Sequence, residues 1–193
     1  MRFAFVVYDG VTLLDFAGVY DAVTRLKTMG LMDALEYDVC AAGETVTSFE
    51  GLTIRTDKVM PDLGGYDAVF IPGGNGIAAL LHHAPCLDWL RRVRADALKI
   101  SVCGGALLWG AAGLLTGRRA ATHPSMTAYL PRFGAVATED RVTEDGDMIT
   151  ARGVTSAIDL GLYLCEKLAG RAARETVQKQ MDYPYYRRKE QAV

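Results

Sequence analysis

The sequence predicts an α/β fold: a mostly parallel sheet with helices on both faces and a small β-hairpin excursion. Two observations carry this. Short β-rich runs alternate with longer amphipathic runs along all 193 residues, the pattern of repeated strand–helix–strand units. The runs at 3–7 and 68–71 are apolar without polar alternation, as strands buried on both faces are. The length suits one domain over 1–193, and half of the residues are hydrophobic, enough for a sizeable core.

In order, residues 3–7 form a first strand and 13–26 a helix, with Leu14, Ala17, Gly18 and Asp21 at helical spacing. Residues 37–41 are a second strand. Residues 45–57 make the hairpin excursion, turning at Glu50-Gly51. The strand 68–71 runs into Pro72-Gly73-Gly74-Asn75-Gly76, and one or two helices fill 77–97. The strand 100–102 ends at Cys103, with a helix behind it. A short strand at 120–122 reaches His123-Pro124. Residues 136–143 and 147–151 flank Glu144-Asp145-Gly146, a hairpin signal. Gly153-Val154-Thr155-Ser156 caps a helix over 157–168, and a last helix covers 171–181. The tail 183–190 is aromatic and then charged, suited to packing on the body or on a partner subunit.

The formal charge of −2 gives no electrostatic case for nucleic acid. The four cysteines, Cys40, Cys86, Cys103 and Cys165, form no Cys-x-x-Cys pair and no Cys/His cluster of zinc-site spacing. No metal and no cofactor are therefore expected. The apolar run at the N-terminus is too short for a signal-peptide core or a membrane span. The expectation is a cytoplasmic protein with free thiols and no membrane association.

The strongest chemical signal is Val102-Cys103-Gly104-Gly105-Ala106. A strand ends at a thiol and two glycines open a helix, as in the strand-to-helix elbows that present nucleophiles. A helix N-terminus beneath the sulfur favours thiolate; the alternative is a small inert cysteine at a strand end. Asp15 lies among Leu13, Leu14, Phe16 and Ala17. Desolvation there keeps a carboxyl protonated towards neutral pH and able to give a proton; the alternative is an acid that complements the helix dipole. Gly73 and Gly74 stand at the end of a strand, where backbone N–H groups form an anion nest or simply a tight turn. With Cys103 nearby, the N–H groups of Gly74 and Gly104 make an oxyanion site. His123 is a candidate hydrogen-bond partner for Cys103 or a structural residue at a strand end. His82, His83 and Trp109 read as surface, surface and core or interface.

These segments together resemble the ThiJ/PfpI superfamily over nearly the whole chain. The carriers are Leu14-Asp15-Phe16-Ala17-Gly18, Ile71-Pro72-Gly73-Gly74-Asn75-Gly76 and Val102-Cys103-Gly104-Gly105-Ala106, with Gly117-Arg118-Arg119-Ala120-Ala121-Thr122-His123 and Gly153-Val154-Thr155-Ser156-Ala157-Ile158-Asp159. Aspartate at 15 and the stretch Gly110-Ala111-Ala112-Gly113-Leu114-Leu115 most resemble the isocyanide hydratase-like members. The resemblance implies a flavodoxin-like three-layer sandwich, a homodimer, a small-molecule substrate and a nucleophilic Cys103. It makes Asp15 the acid that hydrogen-bonds the sulfur and Gly74 and Gly104 backbone donors; beside them the residue reading places Gly73 and His123 as supporting residues. The implied activity is addition of water to an isocyanide to give an N-substituted formamide. Glutathione-independent glyoxalase or deglycase activity, or a non-enzymatic thiol acting as redox sensor or chaperone, are the alternatives. Two departures bear on this. The hydratases usually carry threonine after the cysteine, where this chain has Gly104; PfpI-type proteases carry histidine there, which argues against their triad. The chain is also expected to be too short to hold the additional helix-turn-helix domain of some relatives.

Overall fold

The computed structural model describes residues 1–186; the charged part of the tail falls in 187–193, outside the described residues. Strand β1 (Arg2–Val6) leads into helix α1 (Leu13–Thr28), and β2 (Glu36–Ala41) returns beside it. The antiparallel pair β3 (Thr45–Thr47) and β4 (Thr53–Arg55) leaves the sheet before β5 (Lys58–Val59) closes one edge. Next come β6 (Ala68–Ile71), the short helices α2 (Ile77–Leu80) and α3 (Ala84–Leu90), and β7 (Leu98–Val102), which runs through Cys103 into α4 (Gly105–Ala111). Strand β8 (Arg119–Ala120), a 3-10 stretch (Pro124–Phe133) and β9 (Val136–Ala137) precede the hairpin β10 (Val142–Asp145) and β11 (Met148–Ala151), and α5 (Ser156–Gln180) follows.

The seven-stranded sheet has the order β10-β11-β7-β6-β1-β2-β5. Every pairing in it is parallel except β10 with β11. Its five central strands have the doubly wound, flavodoxin-like order, and the winding reverses between β1 and β6. Ligands of such sheets gather at the carboxyl ends of the strands beside that reversal. Here those ends carry Tyr8 after β1 and Pro72-Gly73-Gly74 after β6.

Helix α1 is held by close packing on α5. A Cβ built on Gly18 would lie 2.7 Å from Ala157 Cβ, and one on Gly161 would lie 2.6 Å from Ala22 Cβ. Glycine at both positions lets the helices approach backbone to backbone, which fixes where Asp15 enters the sheet end. Below, Phe5 stacks on Phe3 and meets Tyr20 and Phe70 edge-on. Trp109 is fully buried and donates its Nε1 hydrogen to Ile100 O at 3.1 Å, so it belongs to the core.

Several boundaries differ from the sequence expectation. The 77–97 region holds two short helices because His83 caps the second, its ring accepting from Cys86 N, and Pro85 occupies that helix's first turn. The strand expected at 120–122 is only Arg119–Ala120, and it pairs with β9 outside the main sheet. Thus 136–143 is not one hairpin arm; only Val142–Asp145 pairs with β11. The 3-10 stretch opens on Pro124 and contains Pro131, whose missing N–H removes an interior helical bond. By contrast, the two helices expected over 157–168 and 171–181 are both present, meeting within α5 at a break at Gly170, with φ 86°. Tyr186 is buried against the body, in keeping with a packed start to the tail. Among the described residues, no helix is long and apolar enough to cross a membrane.

Candidate active site

Cys103 adopts φ +56°, the left-handed region that a non-glycine residue enters only when its surroundings hold it there. Three bonds hold it. Its N–H donates to Arg152 O at 2.7 Å and Ala151 O at 3.1 Å, and its carbonyl accepts from Thr122 Oγ1 at 2.7 Å. Gly105 presses against β6: a Cβ there would lie 2.2 Å from Ile71 O. The turn therefore has no room for a side chain at 105, and the sulfur is carried to the end of the sheet with 7% of Cys103 exposed.

Asp15, in the first turn of α1, is completely buried. The Gly73 N–H donates to its Oδ2 at 3.1 Å, and the Cys103 side chain lies beside the same carboxyl. Its other oxygen, Oδ1, is buried without a hydrogen-bond partner. A Cβ on Gly73 would lie 2.6 Å from Asp15 Oδ2 and 2.8 Å from Cys103 Sγ. The acid and the thiol thus meet across a residue that must be glycine.

Burial pushes the Asp15 carboxyl from its usual 3.8 up to about 6, against the opposing bonds from Cys103 and Gly73. Glu50 raises it further. Burial and then the Asp15 charge push the Cys103 thiol up to about 12, with the Gly104 N–H opposing. This corrects the expectation of a thiolate favoured by the helix terminus. Helix α4 has only seven residues, and burial beside an acid outweighs its dipole. Two anions this close are mutually unfavourable, so the pair shares one proton and titrates as a unit.

Gly74 sits at φ +138°, and a Cβ there would lie 2.2 Å from Gly10 O and 2.6 Å from Thr12 N. Here the loop after β1 crosses the turn after β6, joined by Thr12 N–H to Gly73 O at 3.0 Å. His123 turns away from the role of thiol partner. Its Nδ1 meets Ser125 Oγ at 2.7 Å and accepts the Ser125 N–H, capping the 3-10 stretch. Its neighbour Thr122 bonds the elbow instead.

Sequence reasoning missed four residues at this site. Thr122 holds the Cys103 carbonyl. Glu50 accepts the Leu13 N–H at 3.1 Å, serving a helix whose N-cap Thr12 makes no side-chain bond. Ile77 and Met126 cover Gly104: a Cβ there would lie 2.8 Å from Ile77 Cδ1 and 3.1 Å from Met126 Sδ. The only sequence signals were the adjacency of Thr122 to His123 and the place of Glu50 in the expected turn Glu50-Gly51. Among the described residues, no group of three or more His, Cys, Asp or Glu is placed to hold a metal ion.

A doubly wound sheet with a cysteine elbow facing a buried acid is the architecture of a cysteine-bearing α/β superfamily. The chain belongs to the DJ-1/PfpI family, whose pattern it matches over residues 1–167. It is 40% identical over 139 residues to an isonitrile hydratase of Pseudomonas putida, covering 72% of this chain and 61% of that protein. The match therefore spans about three-fifths of the hydratase's length. Drosophila melanogaster DJ-1alpha is 30% identical over 165 residues, 77% of this chain and 76% of that one. The crystal structure of a ThiJ/PfpI family protein from Pseudomonas syringae superposes with a TM-score of 0.87 at 31% identity, covering 100% of this chain and 78% of that one.

Proposed function

We propose that the protein is a cysteine-dependent hydratase that adds water to an isocyanide (isonitrile) to give an N-substituted formamide. The observation that carries this reading is the buried Asp15 carboxyl meeting the Cys103 thiol across Gly73. Such a pair stores one mobile proton beside a nucleophile, which is what an uncharged, weakly basic carbon electrophile requires. The similarity to an isonitrile hydratase supports the same substrate class.

In the proposed cycle, Cys103 Sγ attacks the terminal carbon of R–N≡C. The thiol proton passes through Asp15 to that carbon. New C–S and C–H bonds form, and one C–N π bond is lost, giving the thioimidate R–N=CH–S–Cys103. Water then adds to the same carbon, one of its protons moving through Asp15 to nitrogen. On collapse the hydroxyl proton returns to Asp15, the C–S bond breaks, and sulfur regains the proton. R–NH–CHO leaves and the starting pair is restored. The N–H groups of Gly74 and Gly104 are assigned to the developing oxygen charge. Gly73 holds Asp15, and His123 supports the adjoining backbone.

The test is formamide production from cyclohexyl isocyanide by the wild type and Cys103→Ser. The expected loss in the variant is roughly a thousandfold or more. A Cys103→Ala variant with full turnover would end the covalent mechanism. If the wild type makes no formamide but converts methylglyoxal to lactate without glutathione, the glyoxalase reading replaces this one.

A further inference from the structure

Tyr8 stands at the carboxyl end of β1, where the winding of the sheet reverses, and its hydroxyl is buried. It donates to Pro72 O at 2.7 Å. That carbonyl belongs to the same peptide unit as the Gly73 N–H, which donates to Asp15 Oδ2 at 3.1 Å. A trans peptide points its C=O and N–H in opposite directions within one plane. Tyr8 and Asp15 therefore hold opposite edges of a single peptide. We propose that Tyr8 is a positioning residue: by anchoring Pro72 O it aims and polarises the Gly73 N–H at Asp15, and so sets the protonation of the Asp15–Cys103 pair. This rests on the reading of that pair as the reactive centre.

Two physical effects act together. A bonded carbonyl cannot rotate, so the N–H at the other edge stays directed at the carboxylate. A carbonyl that accepts a hydrogen bond also makes its own peptide N–H a stronger donor, by roughly 10–30%. The phenol remains a neutral donor, because burial, with the nearby Asp15, Cys103 and Cys86, holds its pKa well above the usual value. The groups facing Asp15 come from four elements: Cys103 at the elbow, Gly73 after β6, Glu50 on the hairpin loop and Tyr8 after β1. Of these only Glu50 adds a full charge opposed to ionisation. The Gly73 N–H favours the carboxylate, so its weakening raises the pH at which the pair gives up its first proton.

The readout is the rate of Cys103 alkylation by iodoacetamide as a function of pH, taken with melting temperature. The step belonging to the pair is identified as the one that Asp15→Asn removes. Tyr8→Phe is expected to move its midpoint upward by roughly half a pH unit. Glu50→Gln, which removes the opposing charge, is expected to move it downward. That pattern supports the proposal. A Tyr8→Phe midpoint at the wild-type value, with Glu50→Gln shifted, overturns it and leaves the pair standing. A loss of melting temperature in Tyr8→Phe without a shift marks the hydroxyl as merely structural, and overturns it too. A profile with no step removed by Asp15→Asn overturns the reading of the pair itself, and this inference falls with it.

Discussion

The two ends of β7 both bury polar groups. At the amino end, Lys99 gives its ammonium to Ala95 O at 2.7 Å, Ala97 O at 3.0 Å and the Asp147 carboxylate, which Arg118 also binds at 2.7 Å. Three donors meet three acceptors. At the carboxyl end, Asp15 lies buried with one oxygen unpartnered, beside a cysteine in a left-handed turn. A buried charge with its hydrogen bonds complete is inert and rigid; one left incomplete is held away from its preferred ionisation state. The same strand thus carries a fastening at one end and an incompletely bonded acid–thiol pair at the other.

Breaking the fastening gives the largest expected effect. Lys99→Met leaves Asp147 with Arg118 alone and is expected to cost about 3 kcal/mol of stability, read from urea midpoints. The pH step of Cys103 alkylation should not move. Equal loss of both would mean that the two ends are coupled through the strand.

Asp15→Asn sharpens the contrast through pH. The folded carboxyl titrates at about 6, above its usual 3.8. Its contribution to stability is therefore complete below the usual value and is lost as pH rises through about 6. The difference is about two pH units, or about 3 kcal/mol at most. The Asn variant should lose this slope and at pH 7 equal or exceed the wild type in stability, by up to about 2 kcal/mol. The opposite sign holds at the other end. Burial alone would raise the Asp147 carboxyl, but the Lys99 bond and charges outweigh it and hold the carboxyl below the usual range. Its contribution is lost as pH falls through that lowered value. A wild-type stability profile that falls only towards acid would break the comparison.

The smallest effect is expected from Thr122→Val. It removes one buried bond to the Cys103 carbonyl, at a cost of about 1 kcal/mol. Alkylation of Cys103 should slow or quicken only a few-fold, since two backbone bonds still hold the elbow. A variant as stable as the wild type would show that those bonds alone carry the strained turn.

Much of this was legible in the sequence because it is local. Apolar runs located the central strands, the Cys103-Gly104-Gly105 succession located the elbow, and an acid among leucine and phenylalanine located Asp15. The break at Gly170 separated two helices as read. What escaped reading depends on contacts between distant segments. Tyr8 looks like the end of an apolar strand until Pro72, 64 residues away, is seen to accept its hydrogen. Thr122 reaches back 19 residues to the elbow. The thiol's ionisation depends on contacts of the same kind: the helix terminus is visible in sequence, whereas the depth of burial and the facing acid are tertiary facts.

Gly104 has an ordinary negative φ, so nothing in its backbone demands glycine. The atoms that a side chain there would meet are the tips of Ile77 and Met126, side-chain ends rather than backbone. A larger residue at 104 would therefore be tolerated by folding and felt by whatever approaches the sulfur. Change at this position can alter access to the sulfur while leaving the scaffold intact.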